Sequence, residues 1–212
     1  MNDEPTIRNI TCDDVPKIVR LQEESFPFMA AQGIIWKPEH LRAHIELFPE
    51  GQFCAEIDGK IIGSCSSLII TLNPEYRKHS WYEACGDAFF KNHDPSGDTL
   101  YAADVSTHPD YRRYKVATKM YDVRKQLAIR MNLRRIIAGG RLFNYCEYAK
   151  KMSPEEYVMR VIAGEISEPV LLFQLKNDFK FIKILPDYLT DERSLNNAAF
   201  IEWKNPHYVE KK

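Results

Sequence analysis

The chain has 212 residues, 44% of them apolar, enough to bury a full core, and its formal charge of −1 argues against a protein devoted to nucleic acid. No apolar run approaches the roughly 18 residues that a membrane span needs, so no membrane partner is expected. Five scattered cysteines (Cys12, Cys54, Cys65, Cys85, Cys146) without a C-x-x-C pair, and an acidic Met1-Asn-Asp-Glu-Pro opening unlike a signal peptide, make the cytoplasm the expected location.

In chain order, Ile7 to Ile10 reads as a short strand. Thr11-Cys-Asp-Asp-Val-Pro then supplies a cap and acids for a helix that runs through Val15, Ile18, Val19 and Leu21 to Phe26. Pro38 starts a second helix that carries Leu41, His44, Ile45 and Phe48, and Pro49 and Gly51 end it. Asp58-Gly59 between the apolar runs 52–57 and 60–70 predicts a hairpin. Residues 73–98 read as a long excursion with a short helix near Ser80 to Phe89, of the kind that often covers a substrate.

Leu100 to Thr107 returns as a strand, followed by a helix from Ala117 to Met131 whose buried stripe is Met120, Val123, Leu127 and Met131. A strand from Leu133 to Ala138, ending at Gly139-Gly140, completes a parallel strand-helix-strand unit. Ser153 as N-cap, Pro154, Glu156 and Gly164 delimit another helix, and Pro169 to Asn177 a further one. Phe179 to Ile184 and Ala198 to Trp203 close the chain as a strand pair. The order implies an α+β, mixed three-layer domain.

The centre of interest is 99–121, a strand that feeds the amino end of a helix through a basic loop. Unpaired N–H groups at a helix start favour anions. Between Ala102 and Arg141, ten Lys and Arg residues stand against three acids, a local balance of +7 that suits a small polyanion.

The segment Val105-Ser-Thr-His-Pro109-Asp-Tyr111-Arg112-Arg113-Tyr114-Lys115-Val116-Ala117 resembles the central motif of the GNAT acyltransferase superfamily, a strand ending in V-x-V-x-P-x-Y-R and then Arg/Gln-x-x-Gly-x-Gly/Ala. Glu50-Gly-Gln, Gly63-Ser-Cys-Ser-Ser-Leu-Ile, Asn92-His-Asp-Pro-Ser-Gly-Asp-Thr-Leu-Tyr, Ile137-Ala-Gly-Gly-Arg141, Met152-Ser-Pro-Glu-Glu-Tyr-Val, Pro169-Val-Leu-Leu-Phe-Gln-Leu-Lys-Asn and Leu185-Pro-Asp-Tyr-Leu resemble a subgroup in which a GNAT domain precedes a nitrilase-type carbon-nitrogen hydrolase. The resemblance implies one GNAT domain over 1–212 with insertions at 73–98 and 141–165. Its sheet would be twisted and mostly antiparallel, with a parallel β-α-β core and flanking helices. A hydrolase partner, fused or separate, and a homodimer are left open.

The implied donor is acetyl-CoA, with no metal. Its pantetheine arm would pair with main chain near Val105, Ser106 and Thr107 in the manner of an added strand. Its diphosphate would lie on Arg112, Arg113, Tyr114, Lys115, Val116, Ala117 and Thr118, with Ser167 and Gln174 as further contacts. Lys115 stands where the family has its first glycine, so it either adds a charge to the phosphate site or obstructs it.

Direct transfer to an amine needs a base and an acid for the departing thiolate. Asp104 is the candidate base. Gln174 falls where many relatives carry a tyrosine acid, and an amide cannot supply that proton, which leaves Tyr145, Tyr148, Ser106 or unassisted departure. Arg141, after a core strand, would hold an acceptor carboxylate or merely begin a loop. His40 and His44 have ligand spacing but lack a third ligand, and Cys65 reads as core. The leading reading is an acyl-CoA-dependent N-acyltransferase acting on a small amine or amino-acid-like acceptor. The alternative is a non-catalytic CoA-binding or regulatory module that would serve the hydrolase.

Overall fold

Asp58 and Gly59 take φ of 49° and 77°, the left-handed pair that a two-residue hairpin requires, and join β2 (Gln52–Ile57) antiparallel to β3 (Lys60–Ile70). In this computed structural model, which describes residues 4–210 with the side chain of Arg113 excepted, that hairpin is part of a larger sheet. β1 (Thr6–Asn9) pairs with β2, and β4 (Thr99–Thr107) pairs with β3. β5 (Arg135–Arg141) lies parallel to β4, and β6 (Lys180–Leu185) and β7 (Ala198–Lys204) close the far side antiparallel. The strand order is β1-β2-β3-β4-β5-β7-β6, a seven-stranded sheet with one parallel pair.

Helices cover both faces. α1 (Val15–Ser25), α2 (Pro27–Ala31), α3 (Pro38–Leu47) and α4 (Trp81–Ala84) lie on one side, where Ile18, Leu21, Trp36 and Leu41 pack with Leu68, Tyr101 and Phe200. α5 (Val116–Arg130), α6 (Pro154–Ile162) and α7 (Pro169–Lys176) lie on the other, where Met120, Leu127, Val158 and Leu171 pack with Ile69, Leu100 and Ile201. The period of two along each strand divides its residues between these cores, which gives the expected three-layer α+β domain. Ser153 caps α6 as expected, its Oγ accepting from the Glu156 N–H at 3.1 Å, and Gly164 follows at φ 79°. Among the described residues, no helix is long and apolar enough to cross a membrane.

Two elements differ from the sequence reading in ways that shape the site. β5 does not stop before Gly139-Gly140 but continues to Arg141, because β7 pairs along its whole length. The glycines are needed for what packs on them: a Cβ at Gly139 would enter the Tyr188 ring, and one at Gly140 would enter the Gln174 amide. On α5 the buried set is Val116, Met120, Tyr121, Arg124, Leu127 and Ala128, so the stripe is rotated away from Val123 and Met131. A charged residue can sit on that face because strand carbonyls and a serine hydroxyl receive its N–H groups.

Candidate active site

The pairing of β4 with β5 is short, running from Thr99↔Arg135 to Tyr101↔Ile137. Beyond Tyr101 the strands splay, while β4 continues on β3 and β5 on β7. At the start of the splay Ala103 is an extra residue, since Ser67 pairs with Ala102 and Ser66 with Asp104. This bulge puts Asp104 on the same face as Ala103, toward Trp36.

A cavity of about 400 Å³ opens at the splay. Its apolar wall comes from Phe26, Met29, Ile34, Trp36, Trp81 and Leu189, with the Trp36 and Trp81 rings tilted against each other at 4.5 Å. Asp104, Tyr121, Arg124, Arg141 and Gln174 bring polar groups to it, and Val105, Thr107, Arg112 and Ala117 line its approach.

The bulge is held from both sides. The Trp81 indole N–H donates to the Ala103 carbonyl at 2.9 Å. Arg124, 1% exposed, donates from Nε to Ser67 Oγ at 3.0 Å and from Nη2 to the carbonyls of Ser66 (2.8 Å) and Asp104. The Ser66 N–H binds Asp104 Oδ1 at 2.8 Å. Burial pushes the Asp104 carboxyl above the ordinary range, while the Arg124 charge, the Trp36 indole and the Ser66 amide act against that rise. A carboxylate of raised basicity facing a cavity suits proton abstraction.

Tyr121 was not singled out in the sequence. Its ring meets Phe173 and Phe179 edge-on at 4.9 and 5.2 Å, and its hydroxyl lies beside the Gln174 amide. Burial raises its pKa, with Arg124 and Gln174 pulling the other way. Thus a phenol from α5 stands next to Gln174 of α7. The spacing Ala117, Tyr121, Arg124, which places three residues on one helix face, was the available signal.

At the other end of the site, a 3-10 turn over Pro109–Tyr114 leads into α5. Lys115, exposed, takes the left-handed conformation (φ 56°, ψ 25°) that a glycine would adopt freely, and α5 opens at Val116. Val116 is buried, Ala117 and Thr118 are half-buried, and Arg112 and Tyr114 are exposed, while the Arg113 side chain lies outside the described residues. The local charge excess is largely consumed within the fold. Lys119 pairs with Glu4, Lys125 with Asp178, Arg134 with Glu75 and Asp98, and Arg135 with Glu75 and Glu202.

The remaining candidates are dispersed. Arg141 lines the cavity but is bound to Asp191 at 3.0 Å. Tyr145 is buried in the α5 to α7 core and donates to the Met152 carbonyl at 3.1 Å. Ser167 is exposed, and Ser106 is buried with its hydroxyl unpartnered among the described residues. Val105 and Thr107 alone of the three strand positions face the cavity. Burial pushes the Cys65 thiol up to about 11, which fits a core residue. His44 is enclosed by Trp36 and Phe90, and His40 stacks edge-on against Phe89.

Residues 15–145 match the acetyltransferase (GNAT) family. Over 204 residues the chain is 47% identical to the "Probable hydrolase YhcX" of Bacillus subtilis, covering 96% of this chain and 39% of that protein. Over 203 residues it is 39% identical to the "Uncharacterized N-acetyltransferase YkwB" of the same organism, covering 96% of this chain and 90% of that one. Among solved structures, the GphF GNAT-like decarboxylase in complex with isobutyryl-CoA superposes with a TM-score of 0.77 at 18% identity, covering 94% of this chain and 98% of that one.

Proposed function

We propose that this chain, which belongs to the acetyltransferase (GNAT) family, transfers an acyl group from acetyl-CoA directly to the amine of a small, amino-acid-like acceptor. The observation that carries this reading is the β4–β5 splay, which joins an α5 amino terminus at one end to an Asp104-lined cavity at the other. The strand pairing lost beyond Tyr101 leaves main-chain groups of Val105 and Thr107 available to the amides of a pantetheine arm. The N–H groups of Val116, Ala117 and Thr118 receive the diphosphate, with Arg112 and Lys115 adding charge at the rim.

Asp104 takes a proton from the attacking nitrogen, and the Tyr121 hydroxyl protonates the departing thiolate, with the Gln174 amide holding it in place. This assigns to Tyr121 the part for which the sequence reading offers Tyr145, Tyr148 or Ser106. Proton return from Asp104 to Tyr121 through water resets the site. Arg141 receives an acceptor carboxylate with the donors that Asp191 leaves free. The support is the location of these groups around one cavity together with family membership.

We read residues 1–212 as one GNAT domain with insertions at 73–98 and 141–165. The chain spans 39% of the hydrolase-named relative, and we propose a carbon-nitrogen hydrolase as a fused or separate partner. The test is amine-dependent release of CoA thiol from acetyl-CoA across a panel of amines and amino acids. Asp104→Asn should keep acetyl-CoA affinity and lower turnover by about 10²-fold. Binding of acetyl-CoA without thiol release from any amine would instead favour the non-catalytic, regulatory reading, for which the engaged Arg141 and the Gln174 substitution are the favouring features.

A further inference from the structure

The Leu185-Pro-Asp-Tyr-Leu stretch places Tyr188 against Gly139 at the wall of the cavity, and the assignments above leave it without a role. Its hydroxyl lies 2.7 Å from the Tyr101 hydroxyl, at the last residue of β4 paired to β5. The Tyr101 hydroxyl lies 3.3 Å from His79 Nε2, and His79 Nδ1 lies 3.0 Å from the Arg77 carbonyl. All three side chains are buried, and Phe200 packs edge-on against the imidazole at 5.2 Å.

The direction of this file follows from its end. A carbonyl only accepts, so Nδ1 carries the hydrogen and donates to Arg77. Nε2 is then bare and accepts from Tyr101, whose oxygen in turn accepts from Tyr188. Every hydroxyl hydrogen thus points toward His79, which leaves the Tyr188 oxygen with acceptor capacity at the end of the file whose residue lines the cavity. Two phenols and an imidazole buried in an apolar core are costly unless joined in this way.

We propose that Tyr188, Tyr101 and His79 form a relay that removes the proton with which an aliphatic amine arrives. This rests on the acyl-transfer reading. The ammonium N–H bond breaks as its proton passes to the Tyr188 oxygen. The Tyr188 proton moves to Tyr101, and the Tyr101 proton to His79 Nε2. The nitrogen keeps its electron pair for attack, and the later N–H proton goes to Asp104. After product leaves, the imidazolium returns its proton by the same file to water in the vacated cavity. Tyr188 meets the amine, and Tyr101 and His79 act through it as positioning residues.

Burial lowers the His79 pKa, which keeps the imidazole neutral with Nε2 bare at neutral pH but works against the imidazolium that the relay forms in passing. The groups facing it are Tyr101 from β4, Tyr188 from the β6–β7 connection, Arg77 and Glu83 from its own segment and Lys183 from β6. Arg77 and Lys183 lower its pKa further, while the Arg77 carbonyl and Glu83 raise it.

The test compares wild type, His79→Gln and Tyr188→Phe with acetyl-CoA and two acceptors: the aliphatic amine that turns over fastest, and methoxyamine, which is uncharged at neutral pH. The relay predicts that both variants lose about 10²-fold in kcat/KM for the aliphatic amine but stay within about threefold of wild type for methoxyamine. It also predicts that the acid limb of the wild-type profile moves or vanishes in His79→Gln, with acetyl-CoA affinity unchanged. Equal losses for both amines with an unmoved pH profile, or no loss at all, overturn the relay alone. Wild type that releases no thiol with any amine overturns the transfer reading and the relay with it.

Discussion

Arg124 donates from Nη2 to the main-chain carbonyl of Asp104. A cation rooted in α5 on one face of the sheet thus fixes the bulge that carries a carboxylate on the other, and both line the cavity at the splay. Replacing it with Gln should leave buried carbonyls of Ser66 and Asp104 short of donors and cost about 2–4 kcal/mol. Lys cannot reproduce the fork and should recover little of that loss. Urea unfolding of the two variants checks this, and stability equal to wild type would mean that the clamp is dispensable.

Lys115 takes a backbone conformation that glycine adopts freely, with φ of 56°. An L side chain there costs about 1 kcal/mol. Lys115→Gly should therefore raise the melting temperature by about 2–4 °C and Lys115→Val should lower it. Because the side chain is exposed, Lys115→Gly should also keep acetyl-CoA binding, weakened at most by the loss of one rim charge. Thermal unfolding and titration of the same two proteins report both effects.

His44 gives the fold a pH dependence of known sign. Burial takes its pKa from 6.5 down to about 4, partly opposed by the Nε2–H bond to the Ala88 carbonyl. Below pH 6.5 the unfolded chain gains a proton that the folded chain does not. Stability is therefore full above that point and falls toward pH 4, by about 1.4 kcal/mol per unit from this residue. His44→Gln should flatten the decline in urea midpoints across that window, even though it lowers stability at neutral pH. A decline as steep as wild type would assign the acid sensitivity to other groups.

Gly140 leaves the space that the Gln174 amide fills. Gly140→Ala should cost about 1–3 kcal/mol by forcing the glutamine aside. Adding Gln174→Ser removes the obstructing end, so the double variant should recover part of that loss. A double-mutant cycle in urea measures this coupling, and strictly additive losses would contradict the contact.

The architecture was largely readable because its cues are local. Asp58-Gly59 marks a hairpin by its own dihedral preference, and Ser153-Pro154 marks a helix start by its own hydrogen bond. The candidate site is legible in the sequence where the strand, loop and helix of 99–121 are contiguous. What escaped depends on partners distant in sequence. Arg124 counts as a surface charge until Ser66 and Ser67 from β3 are beside it, and Tyr121 counts as one more aromatic until Gln174 arrives from α7. The sequence leaves Arg141 open between a substrate carboxylate and a loop start because Asp191, which binds it, lies 50 residues away. Tyr188, Tyr101 and His79 come from three segments, and no spacing rule joins them.

The central claim is that the splay between β4 and β5 holds an acyl-CoA. Isothermal titration of the protein with acetyl-CoA, and separately with CoA, measures it most directly. Saturable binding of both at or below millimolar concentration, retained in Asp104→Asn and Tyr121→Phe, is the predicted result. No binding of either at millimolar concentration would contradict the account.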